Sequence, residues 1–100
     1  MKVVWSPLAV DRTSEIAEYI ALDKPPAAEK WVELVFDSVK RLEQFPNSGR
    51  IIPEINLESF REIIIGNYRI IYRIEEKQIS ILTVRTCWEV LPVDVNKGVK

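Results

Sequence analysis

Lys24-Pro25-Pro26 divides the first 45 residues into two segments of helical period, and this break constrains the fold more than any other feature. The residue before a proline avoids the helical region, so one helix must end there. Ahead of the break, Ser6-Pro7 supplies a helix start, with serine as N-cap and proline at the first helical position. Ala9, Thr13, Ile16 and Ile20 then recur at four-three-four spacing beside Tyr19, which predicts an amphipathic helix over 7–22. A second helix is predicted from about Pro26 to Phe45. Its apolar stripe is Ala28, Trp31, Val32, Val35, Val39, Leu42 and Phe45, and its wet side carries Glu29, Lys30, Glu33, Asp37, Lys40 and Glu43. A connection of three or four residues makes such helices pack antiparallel. Ile16, Ile20, Trp31, Val35, Val39 and Leu42 are the side chains expected against the rest of the domain.

Beyond Pro46-Asn47-Ser48-Gly49, a stop and turn signal, the period changes to two. Lys2 to Trp5 reads as an opening strand and Arg50 to Ile52 as a short one. Phe60 to Ile65, Tyr68 to Ile74 and Gln78 to Arg85 read as three strands of an antiparallel meander, turned at Gly66-Asn67 and Glu75-Glu76-Lys77. In the middle strand Tyr68, Ile70, Tyr72 and Ile74 share one face, while Arg69, Ile71 and Arg73 share the other. The fold class is α+β: an N-terminal strand and an antiparallel helical hairpin packed on a small antiparallel β-sheet. The face with Arg69 and Arg73 is expected to stay open. Residues 1–92 form one domain, and 93–100 are expected to be a flexible tail.

Chemistry is restricted by what is missing. The 100 residues contain no histidine, so every mechanism built on imidazole is excluded. The single cysteine, Cys87, makes neither an internal disulfide nor a multi-cysteine zinc site, and reads as inert. No Gly-rich phosphate loop, nucleophile triad or metal-ligand spacing occurs, so no cofactor and no metal are expected. No apolar run reaches membrane-spanning length and no secretion signal opens the chain, which sets the expectation of a cytoplasmic protein without a membrane partner.

Charge is unevenly spread. Residues 1–45 hold six basic and eight acidic side chains; residues 46–85 hold six and five, and five of those six basics are arginines. A net charge of −1 argues against broad nucleic-acid binding but leaves room for a local arginine cluster. Arg50, Arg61, Arg69, Arg73 and Arg85 are the candidates, because a guanidinium fork suits phosphate or carboxylate. Taken singly, each reads as a solvated strand residue paired with Glu54, Glu62, Glu75 or Glu76. Taken together, they read as an anion- or acid-binding face. Tyr68 and Tyr72 read as core residues with hydroxyls satisfied at an edge, the alternative being a catalytic acid.

The ordered pieces resemble the RelE/ParE superfamily of bacterial toxin–antitoxin toxins. They are Trp5-Ser6-Pro7-Leu8-Ala9, Ile16-Ala17-Glu18-Tyr19-Ile20, Leu42-Glu43-Gln44-Phe45-Pro46-Asn47-Ser48-Gly49-Arg50, Phe60-Arg61-Glu62, Tyr68-Arg69-Ile70-Ile71-Tyr72-Arg73 and Ile79 to Arg85. The resemblance implies a toxin neutralised by a cognate antitoxin, in a toxin–antitoxin hetero-oligomer. RelE-like relatives cut messenger RNA on the ribosome, whereas ParE-like relatives are reported to poison DNA gyrase. After Arg85 this chain reads Thr86-Cys87-Trp88-Glu89 where many ribonucleases continue with histidine and basic residues. No lysine lies between Lys40 and Lys77, where some of them place catalytic lysines. The ParE-like reading, with DNA gyrase as target, is therefore favoured. The alternatives are a RelE-like messenger-RNA endonuclease and a non-toxic relative that only binds its antitoxin. A ribonuclease would draw on Arg61, Arg69, Arg73, Arg85, Tyr72 and Glu89. Leu8, Val10, Leu34 and Phe36 lie off the core stripes and are the expected antitoxin contacts.

Overall fold

A computed structural model of the chain describes residues 1–89 and the backbone of two short paired segments, Val93–Asp94 and Gly98–Val99. The domain end expected at 92 and the tail expected over 93–100 lie largely outside the described residues.

The first strand, β1 (Lys2–Trp5), leads directly into α1 (Pro7–Asp23), and Ser6 between them organises the corner. Its Oγ accepts from the Ala9 amide at 3.0 Å, the N-cap bond expected of serine before proline. The same hydroxyl donates to the Leu82 carbonyl at 2.8 Å, while the Ser6 amide donates to Ile81 at 2.9 Å. Helix start and sheet are thus joined at one residue.

Lys24 alone links α1 to α2 (Pro25–Arg41), a tighter connection than the three or four residues expected. Its amide closes α1 on Ile20, and its carbonyl opens α2 by accepting from Ala27 and Ala28. Pro25 costs nothing at the first helical position, where an amide would have no partner. α2 stops at Arg41, four residues before the expected end at Phe45. Leu42 and Glu43 bond three residues back, to Val39 and Lys40, and this tightening winds the chain out of the helix. Leu42 remains buried, but Phe45 falls outside the stripe and is exposed.

The remaining strands are β2 (Arg50–Ile51), β3 (Phe60–Ile65), β4 (Tyr68–Ile74) and β5 (Gln78–Thr86). They form one five-stranded sheet in the order β1-β5-β4-β3-β2. The meander β3-β4-β5 is antiparallel as expected, but β1 pairs parallel with β5, so the sheet is mixed. The long connection between β1 and β5 permits a parallel pairing that no short turn could make. Gly66 takes φ 58° at the first position of the two-residue turn between β3 and β4, a conformation that favours glycine.

Between β4 and β5 the register skips Leu82: Ile71 pairs with Thr83, and Tyr72 with Ile81. This bulge changes which alternate residues of β5 face inward. Ile79 and Ile81 enter the core before it, and Val84 after it. The helical hairpin covers that face through Ile16, Trp31, Val35, Val39 and Leu42, with Ile20 partly buried beside them. Trp31 meets Tyr68 edge-on, with ring centroids 5.2 Å apart.

The other sheet face is not open. Ile52, Ile55, Phe60, Ile71 and Leu82 form a second small cluster there, because the chain between β2 and β3 folds back across it. Ile70, Ile71 and Tyr72 are consequently all buried, two toward the helices and one away from them.

Candidate functional site

The expected arginine face is dispersed by the register. Arg61 pairs with Tyr72, which places it on the helix side of the sheet, opposite Arg69 and Arg73. Three consecutive isoleucines follow in β3, so no alternation marked its orientation. Arg61 donates from Nη1 to the Gly49 carbonyl at 2.9 Å and from Nε to the Glu58 carbonyl at 3.0 Å. It holds two loops together.

Arg69 is only 4% exposed, and Glu62 on the neighbouring strand 1%. Nε of Arg69 donates to Glu62 at 2.5 Å, while its two terminal nitrogens grip Glu54 at 2.7 and 2.8 Å. A further bond reaches the Glu89 carbonyl at 3.1 Å. The hydrogen bond to Glu54, aided by Glu62, holds the guanidinium above its ordinary pKa although burial acts the other way. Arg50 closes the network from outside, 2.6 Å from the second oxygen of Glu62. Arg69 is therefore a structural ion-pair residue, with its donors occupied by protein oxygens.

Arg85 lies opposite Arg69 in the register and is held by Glu89 at 2.8 Å. Glu89 also accepts from the Thr86 amide and hydroxyl and lies 3.7 Å from Arg12. Burial alone would raise the pKa of Glu89, but the bonds from Thr86 and Arg85 prevail and lower it. Arg73 is exposed and rests over the Phe60 ring at 5.4 Å.

Tyr72 is fully buried. Its hydroxyl donates to the Pro46 carbonyl at 2.8 Å and accepts from the Gly49 amide at 2.9 Å. Burial raises its pKa. Its position in the core matches the sequence reading. Tyr68 is partly buried against Trp31, and Cys87 is exposed at a turn. Among the described residues, no group of three His, Cys, Asp or Glu side chains could hold a metal ion. No described helix is long and apolar enough to cross a membrane.

The second candidate surface is apolar. Leu8, Val10, Leu34 and Phe36 are 45, 48, 48 and 52% exposed. They do not form one patch, since Leu8 and Val10, like Leu34 and Phe36, are two helical positions apart and diverge. Val10 and Phe36 line an open cleft of about 390 Å³ with Trp5, Thr13, Ser14, Ala17 and Val32. The Trp5 and Phe36 rings stand 5.3 Å apart at one end of it. Trp5 is half-buried, packing against the core on one side and lining this cleft on the other. The signal available in the sequence was Val32 to Phe36, four apart beside the buried stripe.

Comparison with known proteins gives concordant results. The family model described as the ParE toxin of the type II toxin–antitoxin system parDE matches residues 3–88. A Sinorhizobium fredii protein named "Putative toxin Y4kP" is 35% identical over 85 residues, covering 83% of this chain and 84% of that one. The solved chromosomal ParDE TA system from P. aeruginosa superposes with a TM-score of 0.70 at 26% identity, over 86% of this chain and 95% of that chain. The RelBE2 toxin–antitoxin complex from Mycobacterium tuberculosis shares the fold, with a TM-score of 0.54 at 21% identity over 85% of this chain and 95% of that one. Strand, helical hairpin and mixed sheet are therefore those of a known toxin fold, and the chain belongs to the ParE toxin family of type II toxin–antitoxin systems.

Proposed function

We propose that this toxin acts by binding its target without hydrolysing it, that the target is DNA gyrase, and that an antitoxin neutralises it. One observation carries the non-hydrolytic reading: apart from the exposed Arg73, the side chains a ribonuclease would use are committed to the fold. Cleavage at a 2′-hydroxyl needs a base, an acid and charge stabilisation at the phosphate. The Arg69 fork is filled by Glu54 and Glu62, the Tyr72 hydroxyl by Pro46 and Gly49, and Glu89 by Thr86 and Arg85. Membership of the ParE family supports gyrase as target, and the ParDE structure supports an antitoxin partner. Val10 and Phe36, in the cleft on the helical hairpin, are the antitoxin contacts this reading retains.

Inducible expression in bacteria, alone and with the protein encoded beside this gene, tests the reading. Growth arrest with a DNA-damage response, relieved by the neighbour, is the expected result. Transcripts cleaved during arrest would replace it with the endonuclease reading. Absence of arrest, with the neighbour still bound, would replace it with the non-toxic relative.

A further inference from the structure

Among the described residues, β3 is paired with β4 along its whole length, but with β2 only through Arg61 and Glu62. Residues 63–65 therefore form an open edge, on the side of the sheet opposite β1. The Phe60 carbonyl accepts from the Ile52 amide and so points toward β2, whereas the Ser59 carbonyl accepts from Ile74 and points toward β4. By alternation Glu62 and Ile64 face the same way as Phe60. Ile64 thus turns both its amide and its carbonyl to the open edge, and its side chain is 43% exposed. The chain ahead of β2 does not cover this edge, because Gly49 turns inward to the Tyr72 hydroxyl. A pocket of about 320 Å³ lies there instead, bounded by Ser38 and Arg41 of α2, by Ser48 to Arg50, and by Glu62 to Ile64. Arg41 makes no ion pair among the described residues. Arg50 reaches Glu62 through Nε, which leaves its terminal nitrogens as donors toward the pocket. Glu62 is the one carboxylate of the lining, and Arg69 pairs with its other oxygen.

An outward amide and carbonyl on one residue, beside two arginines, select an occupant. A phosphate would accept from the arginines and the amide but leave the Ile64 carbonyl without a donor. An extended peptide satisfies both backbone groups by adding a strand. In line with β2 it would run antiparallel to β3, so its carboxyl end would arrive at Arg50. The opposite direction would bring an amino end, or the start of a strand, to two positive charges. A second copy of this chain fits poorly, because a twofold contact of the two edges would set Arg41 and Arg50 against their counterparts. We propose that this edge receives an extended segment of the target, paired through Ile64 and carrying carboxylates at the end that reaches Arg41 and Arg50. The proposal rests on the gyrase reading above and adds where the target is held and by what chemistry.

The test uses the full chain, gyrase holoenzyme and relaxed plasmid. Arg41→Glu reverses the charge of one pocket wall. Ile64→Pro removes the outward amide; proline is tolerated on an edge strand and here breaks no bond to β4. Each change should raise the toxin concentration that half-inhibits supercoiling by about tenfold or more, the scale of one lost charge-assisted hydrogen bond. Circular dichroism, and binding of the protein encoded beside the gene, should be unchanged. The Ile64 amide should exchange freely in the toxin alone and become protected once gyrase is added. If Ile64→Pro does not fold, Arg41→Glu and the exchange of the Ile64 amide decide. Inhibition by Arg41→Glu equal to that of the wild type, or an Ile64 amide still unprotected with gyrase, overturns this proposal and leaves the gyrase reading standing. So does a folded variant that loses the neighbour instead, since the edge would then belong to the antitoxin. Wild-type toxin that neither binds nor inhibits gyrase overturns both.

Discussion

The Tyr72 hydroxyl and the Gly49 amide meet at 2.9 Å, and the fit leaves no room for a side chain on Gly49. A Cβ there would lie 2.5 Å from the hydroxyl oxygen and 2.7 Å from the backbone oxygen of Glu62. Gly49→Ala is therefore expected to destabilise the fold by about 1–3 kcal/mol, the usual cost of overpacking. Tyr72→Phe would leave the Gly49 amide and the Pro46 carbonyl without their partner, costing about 1–3 kcal/mol. Urea unfolding measures both. Residual toxicity should follow the folded fraction. Toxicity lost with Tyr72→Phe at unchanged stability would instead mark the hydroxyl as a chemical participant.

Arg69 and Arg73 separate sharply in what their loss should do. Arg69→Ala would strand Glu62, which is fully desolvated and keeps only Arg50 at its outer oxygen. Removing one member of a buried pair costs about 3–5 kcal/mol, so this variant should be largely unfolded or markedly less soluble. Arg73→Glu changes an exposed residue and should alter stability by less than about 0.5 kcal/mol. Arg73 is thus the strand arginine at which charge reversal can test target binding without collapsing the fold. Circular dichroism and growth assays on the two variants give the comparison.

Ser6 joins two functions in one hydroxyl, as cap of α1 and donor to the bulge at Leu82. Ser6→Ala removes both bonds, and a lost N-cap alone costs about 0.5–2 kcal/mol. A fall in the thermal midpoint of several degrees is expected, on the order of 4–8 °C per kcal/mol for a domain this size. Ser6→Asp keeps the cap but places a carboxylate against the Leu82 carbonyl. It should recover only part of the loss.

The parts of this fold legible in the sequence are those governed by local period. The double proline at 25–26 and the stripe through Trp31, Val35, Val39 and Leu42 announced the hairpin, and the alternation of Tyr68, Ile70, Tyr72 and Ile74 with Arg69 and Arg73 announced β4. Features set by pairing left no such trace. The bulge at Leu82 sits in an apolar run where one skipped residue is invisible, and the orientation of Arg61 depends on register with Tyr72. Arg69 had Glu54 and Glu62 among its candidate partners from the sequence. The segment folding back between β2 and β3 selected them and buried the group. Val10 and Phe36 were readable as apolar residues off the core stripe, but the cleft they line exists only once the two helices lie together.

Glu89 makes the pH dependence of the last described turn predictable in sign. Its pKa is lower in the folded chain than the ordinary carboxylate value, through Thr86 and Arg85 acting against burial. A carboxyl with a depressed folded pKa binds protons more readily when unfolded, so it stabilises the fold at neutral pH. That contribution is complete above the ordinary value and is lost as pH falls through the lower, folded one. Glu89→Gln keeps a hydrogen-bonding side chain but cannot carry the charge. Wild type should therefore be the more stable of the two near pH 7, and the difference should narrow as pH falls below about 4.5. Urea midpoints for both proteins between pH 7 and about 3 measure this. A gap that stays constant across the range would show that the Arg85–Glu89 pair contributes nothing through its charge.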